Sequence, residues 1–440
     1  MKVFFVSLGC DKNLVDSEHM LYALSQHGYE ICDDESVADA IVINTCCFIK
    51  DAMEESIDTI IEMGQYKDNG QCKALIITGC LAQRFVSEIP DELPEVDGII
   101  GTNSYDELIA VLDRTLHGEK TACVKPLSGI PHNDGRMVST GGHFAYLKIA
   151  EGCDKHCTYC IIPKIRGDFR SVPMEELLQE AEQLARDGVK ELVLVAQEVT
   201  VYGVDLYGSK RLPELLQKLS AIDGIEWIRL LYCYPEEITD ELIEEMATNS
   251  KICHYIDMPI QHISDRILGR MGRRTSQQDI YHIIDKLRDR IPDITLRTTL
   301  ICGFPGEQEA DHQELMRFIR DVQFDRLGAF TYSPEDGTPA AGFPDQIDEV
   351  IKDMWYNDVM SAQQEISYTK NESFIDQSLT VMIEGQISGE DVYVGRTYRD
   401  APNVDGYVFV HSDRSLMSGD YVRVHITGAK DYDLIGDLES

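Results

Sequence analysis

Positive charge is scarce in this chain of 440 residues: 40 lysines and arginines stand against 77 aspartates and glutamates, a formal net charge of −37. So acidic a surface disfavours a protein whose main affinity comes from nucleic-acid phosphates and favours basic partners, while leaving room for a local RNA-binding patch. Also missing is any apolar run approaching the ~20 residues of a membrane span. Met1 to Gly9 carries neither the charged n-region nor the h-region of a secretion signal. The expectation is a soluble, cytoplasmic protein. In a reducing compartment its 13 cysteines argue against a disulfide framework and point to metal or redox chemistry. They cannot all be ligands, since Cys32, Cys72, Cys123, Cys233 and Cys253 fall in no motif and read as ordinary thiols. The length accommodates two or three domains.

What is present is concentrated in Glu151-Gly152-Cys153-Asp154-Lys155-His156-Cys157-Thr158-Tyr159-Cys160, where three cysteines at C-x3-C-x2-C spacing follow the apolar run Phe144 to Ala150. Three thiolates in one short loop can hold three corners of a cubane iron–sulfur cluster, which usually takes four. One iron is then open to a further ligand. A structural zinc knuckle would need a second cysteine or histidine pair downstream, and none follows. His156 lies inside the loop, badly placed to close a tetrahedron. The pattern, with an aromatic residue before the last cysteine, resembles the signature of the radical S-adenosylmethionine superfamily. Cys153, Cys157, Tyr159 and Cys160 match it position for position. That resemblance implies that S-adenosylmethionine chelates the open iron and that Tyr159 lies near its adenine.

Ahead of this loop, short apolar strands alternate with helical patterns: strand Lys2 to Leu8, helix Asn13 to His27, strand Asp39 to Asn44, helix Asp51 to Gly64. Strand Lys73 to Thr78, helix Leu81 to Val86, strand Val96 to Ile100 and helix Tyr105 to Leu116 continue the alternation. It predicts a parallel sheet with helices on both faces. Cys10 follows Val6-Ser7-Leu8-Gly9, Cys46 follows Ile43-Asn44-Thr45, and Cys80 follows Ile77-Thr78-Gly79. Each therefore sits just past the carboxyl end of a strand, on the sheet edge where ligands bind. Either the three converge on a second cluster with an open iron, or three small residues happen to occupy strand–loop junctions.

Glu119 to Gly142, with Gly129, Pro131, Gly135, Gly141 and Gly142, reads as a linker. Beyond it, strands are expected at Phe144 to Ala150, Glu191 to Ala196, Trp227 to Tyr232, His254 to Met258, Thr295 to Ile301 and Arg326 to Thr331. Helices fall between them, among them Met174 to Arg186 and Gln277 to Asp289. Six βα units suggest a partial (β/α)6 barrel with its site at the carboxyl ends of the strands. Gln197, Glu198 and the turn Cys302-Gly303-Phe304-Pro305-Gly306-Glu307 would lie there, either near a cofactor or as plain βα turns. A long helix, Asp345 to Lys370, buttresses or closes the barrel. Leu379 to Ile383, Tyr407 to Val410 and Tyr421 to Ile426 then predict a small antiparallel β-barrel of the oligonucleotide-binding type. From Phe374 to Ser440 it holds 5 basic and 12 acidic residues, a net −7. An RNA-binding face should be basic, so a docking module for a basic protein surface is the first reading and RNA the second.

This three-part order resembles the methylthiotransferases over essentially the whole chain. Their domains would fall at 1–118 (N-terminal α/β), 143–372 (radical S-adenosylmethionine barrel) and 373–440 (TRAM), with 119–142 between the first two. Ser7-Leu8-Gly9-Cys10-Asp11-Lys12-Asn13-Leu14-Val15-Asp16-Ser17-Glu18, Lys148 to Asp154, Arg166-Gly167 with Arg170-Ser171, and Ala401-Pro402-Asn403-Val404-Asp405-Gly406 resemble the branch acting on ribosomal protein S-12. Cys47, beside Cys46, departs from the small residue usual there. The resemblance implies two [4Fe-4S] clusters, on Cys153, Cys157 and Cys160 and on Cys10, Cys46 and Cys80. It also implies hydrogen abstraction from the β-carbon of an aspartate by a radical made from S-adenosylmethionine, then transfer of sulfur and a methyl group to give 3-methylthioaspartate. The implied electron donor is a flavodoxin or ferredoxin. The alternatives are a tRNA methylthiotransferase acting on a modified adenosine and a non-catalytic iron–sulfur carrier.

Overall fold

The computed structural model describes residues 1–131 and 135–439, so residues 132–134 of the expected linker lie outside the described residues. The chain forms two compact units. The first comprises Met1–Ser139, Ala150–Val172 and Glu335–Thr338. Its sheet is built from β1 (Lys2–Ser7), β2 (Glu30–Cys32), β3 (Ala40–Thr45), β4 (Ala74–Gly79), β5 (Gly98–Ile100) and β6 (Thr121–Cys123). These run parallel in the order β2-β1-β3-β4-β5-β6. A strand buried on both faces reads as a continuous apolar run, and Ala40 to Thr45 is buried at every position. Alternate side chains feed two cores. Ile41, Ile43, Leu75 and Ile77 pack with Ile60 and Met63 of the helix Lys50–Gly64. Val42, Ala74 and Ile76 pack with Met20 and Leu24 of the helix Asp11–Gln26 and with Leu108 and Leu112 of Leu108–Leu116. After residue 134 the chain is pinned to the first helix, with Ser139 N donating to Glu18 at 2.6 Å and Met137 N to the Glu18 carbonyl at 3.1 Å.

Two features of this unit depart from the sequence pattern. Thr121–Cys123, inside the expected linker, pairs with β5 as a sixth strand. The segment carrying Cys153, Cys157 and Cys160 packs with the first unit, bounded by the two-residue strands β8 (Ala150–Glu151) and β9 (Arg170–Ser171), which pair antiparallel.

The second unit comprises Thr140–Ile149, Pro173–Pro334 and Pro339–Ser440. Its strands β7 (Phe144–Lys148), β10 (Glu191–Val195), β11 (Trp227–Leu230), β12 (Ile252–Asp257), β13 (Thr295–Cys302) and β14 (Arg326–Thr331) form one parallel sheet in chain order, the open form of a (β/α)6 barrel. The helix Glu349–Glu372 packs along the edge strand β14. The remaining strands, β15 (Ser378–Gln386), β16 (Val392–Arg396), β17 (Val408–His411), β18 (Tyr421–Ala429) and β19 (Leu434–Leu438), close a small barrel in the order β15-β16-β17-β19-β18. It is antiparallel except for one pair: β19 returns beside β17 in parallel, Val408 opposite Leu434.

That small barrel is fastened to the amino ends of the large sheet. Glu191, the first residue of β10, accepts from Arg229 Nε and from Arg396 Nη2, each at 2.7 Å, with all three side chains fully buried. Burial alone would raise the Glu191 carboxyl, but Arg396 and Arg229 outweigh it and hold it low. Removing one partner of such a buried group costs about 3–5 kcal/mol. Tyr255 donates to Asp405 at 2.7 Å, and Arg326 pairs with Asp400. The amino end of the sheet is thus covered.

Candidate functional site: two cysteine triads in one unit

In the first unit the sheet order reverses between β1 and β3, with β2 on one side and β4 on the other. At such a switch point the loops leave in opposite directions and open a crevice at the carboxyl ends. Cys10, Cys46 and Cys80 follow β1, β3 and β4 at that edge. Two glycines let the loops close. Gly9 has φ +88°, and a Cβ there would stand 2.7 Å from Cys46 Cβ. Gly79, at φ +89°, turns the chain so that Cys80 opens the short helix Cys80–Arg84. Asn13 locks the arrangement: its Nδ2 donates to the carbonyls of Leu8 at 3.1 Å and Thr45 at 2.9 Å. Asn44 Nδ2 returns to the Asn13 carbonyl at 2.8 Å, and Ser56 Oγ bonds both Cys46 N and Cys46 O.

Burial and neighbouring charge act on the Cys46 and Cys80 thiols. Burial raises the Cys46 thiol, Cys10 adds to the rise, and Arg166 opposes it. Burial also raises Cys80, with Arg166 opposing and Cys47, Cys46 and Cys10 adding. Cys47 lies in the apolar cluster with Ile41, Ile43 and Leu81, its thiol pushed up to about 12 by burial.

The second triad is local. Gly152, at φ +79°, is pressed against the backbone of Gly167 and Asp168. Cys153 N donates to the Gly167 carbonyl at 3.1 Å, and Phe169 N to Asp154 Oδ1 at 2.8 Å, closing the base of the loop. Cys160 N bonds the Cys157 carbonyl at 3.0 Å, and the helix Ile162–Arg166 follows. His156 is exposed at φ +51°, Tyr159 half-buried. Loss of hydration, with Cys157 and Cys153 nearby, pushes the Cys160 thiol up to about 12. Among the described residues no three His, Cys, Asp or Glu side chains close on one point as for a single metal ion. Each set offers three soft donors, the donor type that an iron–sulfur cluster takes.

Arg166 joins the two sets. Its Nη1 lies 2.8 Å from Asp16 and 3.1 Å from Glu151, and its Nη2 bonds Asn13 Oδ1 and approaches Cys80 Sγ at 3.6 Å. The sequence marks Arg166 only through the family resemblance, because its partners lie as far as 153 positions away.

In the second unit, Gln197 and Glu198 follow β10, and Glu198 is buried against Thr200. Two residues at the carboxyl ends are left-handed without being glycine, Tyr232 after β11 (φ +61°) and Gln261 after β12 (φ +71°). Such backbone costs of order 1–3 kcal/mol each and gathers at functional sites; no sequence signal announces it. The turn after β13 is different. Glu307 accepts from Gly303 N at 2.7 Å and Phe304 N at 3.0 Å, and pairs with His262 at 3.2 Å. The space beside Gly303 is filled by Lys352 of the long helix. Lys352 thus packs on one side of this glycine. Cys302 is the last residue of β13, fully buried, its thiol raised by burial.

Comparison with known proteins agrees with this architecture. Residues 147–319 match the radical SAM superfamily, 2–101 the Uncharacterized protein family UPF0004, and 375–438 the TRAM domain. The chain is 59% identical to the ribosomal protein uS12 methylthiotransferase RimO of Lachnoclostridium phytofermentans, covering 100% of both chains. It is 50% identical to the protein of that name from Acetivibrio thermocellus, covering 99% of this chain and 98% of the relative. Among solved structures it is similar in fold to the radical S-adenosylmethionine methyltransferase TsrM of Kitasatospora setae. There the TM-score is 0.56 and the identity 14%, over 77% of this chain and 76% of that one.

Proposed function

The chain belongs to the family of ribosomal protein uS12 methylthiotransferases, and on that footing we propose that it inserts sulfur and a methyl group at the β-carbon of an aspartate of ribosomal protein uS12, giving 3-methylthioaspartate. The observation that carries the reading is the presence of two thiol triads within one compact unit. A single cluster would serve radical formation alone; sulfur insertion also calls for a held sulfur source. When bound, S-adenosylmethionine at a reduced iron–sulfur cluster supplies a carbon radical able to take hydrogen from an unactivated carbon. An iron–sulfur cluster and S-adenosylmethionine come with the family; that there are two clusters is our proposal.

Cys153, Cys157 and Cys160 would hold the cluster that takes S-adenosylmethionine, with Tyr159 beside the adenine. Cys10, Cys46 and Cys80 would hold the second, which carries the sulfur. The Asn13 lock and the bonds from Ser56 fix the loops bearing the second set. The domains would divide at 1–118, 119–142, 143–372 and 373–440. The net charge of −37 supports a basic protein substrate over tRNA. We place the reaction in the cytoplasm, with a flavodoxin or ferredoxin as electron donor. No helix among the described residues is long and apolar enough to cross a membrane.

The test offers ribosomal protein uS12 and unmodified tRNA in parallel to anaerobically reconstituted, reduced protein with S-adenosylmethionine, followed by mass spectrometry of both. A methylthio group on the aspartate alone is expected. Modification of tRNA alone would overturn the substrate, and intact S-adenosylmethionine with neither product would make the chain an iron–sulfur carrier.

A further inference from the structure

Arg166 is buried, its side chain 2% exposed. A guanidinium so placed loses most of its hydration, a cost that apolar residues of equal volume would not incur. Its donors serve more than one kind of partner. Here they are divided: Nη1 serves Asp16 and Glu151, while Nη2 serves Asn13 and the sulfur of Cys80. Asn13 is the side chain that ties the Cys10 loop to the end of β3, ahead of Cys46. Glu151 stands two residues before Cys153 and pairs with Arg170 across β8 and β9. One side chain therefore touches the third thiol of the first triad, the lock that sets its other two, and the stem of the second triad. All of these lie in the same compact unit.

Hydrogen bonds to ligand sulfurs and nearby charge are the levers by which a protein sets an iron–sulfur potential. Reduction adds negative charge, so a fixed cation with an N–H directed at a ligand sulfur favours the reduced form. Without that cation, Asp16 and Glu151 would face the site uncompensated and disfavour reduction. Lysine keeps the charge but offers a point donor where the arrangement uses a planar fork.

We infer that Arg166 is a positioning residue that holds the iron–sulfur group of Cys10, Cys46 and Cys80 against the stem of the other triad and keeps its reduction potential high. This rests on the two-cluster reading, and the test separates the two. Full-length protein carrying Cys153→Ala, Cys157→Ala and Cys160→Ala leaves the first triad alone to bind iron. It is reconstituted anaerobically with iron and sulfide, assayed for bound iron, and titrated redox-metrically with detection by electron paramagnetic resonance. Arg166→Gln and Arg166→Lys are then compared in that background. The midpoint is expected to fall in Arg166→Gln and to fall less in Arg166→Lys, with altered g-values in both. A parent protein that binds no iron would overturn the two-cluster reading and this inference with it. A parent that binds iron, with an unchanged midpoint in Arg166→Gln, would overturn the inference alone. Should Arg166→Gln fail to load, Arg166→Lys decides: parental midpoint and g-values there would overturn the role.

Discussion

The two triads are made in opposite ways. Cys153, Cys157 and Cys160 lie within one loop, so bringing their sulfurs together closes only a short stretch of chain, at small entropic cost. Cys10, Cys46 and Cys80 follow the ends of three strands and share one sheet edge only once β1, β3 and β4 are paired. The first kind of site is a property of a peptide, the second of a fold. A protein that needs one group near solvent-borne cofactor and another held in fixed register to it gains from having both. The comparison also bears on assembly, since the strand-end triad should take up iron only on folded protein.

The sharpest way to break the comparison is to remove one thiol from each set. Cys153→Ala is expected to abolish both cleavage of S-adenosylmethionine and methylthiolation. Cys10→Ala should leave cleavage to 5′-deoxyadenosine intact and abolish methylthiolation. Chromatography of the nucleoside and mass spectrometry of ribosomal protein uS12 read the two activities separately. Equal loss of cleavage in both variants would mean that the triads do not divide the work.

That contrast also governs how much of the site is legible in the amino-acid sequence. The C-x3-C-x2-C loop is legible because spacing alone brings its thiols together. The strand-end triad was legible only as topology: apolar runs ending in small residues and cysteine at three places predict one sheet edge, and the order β2-β1-β3-β4 puts all three there. β2 carries no such signal, being three residues long and largely exposed, with no buried run to mark it. β6 is three residues long, and β16 and β19 are five-residue strands, each paired with the strand just before it, too short for their alternation to stand out. The packing of Ala150–Val172 with the first unit, and the Arg166 network that accompanies it, had no local signature. The Arg166 contacts alone span up to 153 positions, and no pattern of neighbouring residues encodes them.

A gentler break acts on the glycines that shape each loop. Gly152→Ala would force a side chain at φ +79° into the backbone of Gly167 and Asp168, and Gly9→Ala one at φ +88° onto Cys46. Left-handed backbone costs an L-residue roughly 1–2 kcal/mol before any clash is counted. Gly152→Ala should lower iron at the local triad and spare the other, and Gly9→Ala the reverse. Iron assays in backgrounds lacking one triad's cysteines measure each. Loss at both sites from either change would show the triads to be one cooperative structure.

The smallest effect is expected at Cys47, and it sharpens the strand-end triad by fixing its membership. Cys47 adjoins Cys46 and lies close enough to Cys80 to influence its thiol, so proximity alone does not say which neighbour binds iron. Register favours Cys46, the first residue after β3 as Cys80 is the first after β4. Cys47 has no exposed surface and packs among Ile41, Ile43 and Leu81. Its carbonyl accepts from Arg84 Nη1 at 3.2 Å, which fixes the backbone independently of the sulfur. Cys47→Ala should therefore cost about 1 kcal/mol of stability through lost packing, seen as a modest fall in Tm, with bound iron unchanged. Cys46→Ala should lose the iron of the first triad. Were the two variants to lose iron alike, the crevice would hold four thiols rather than three, with no iron left open to carry sulfur.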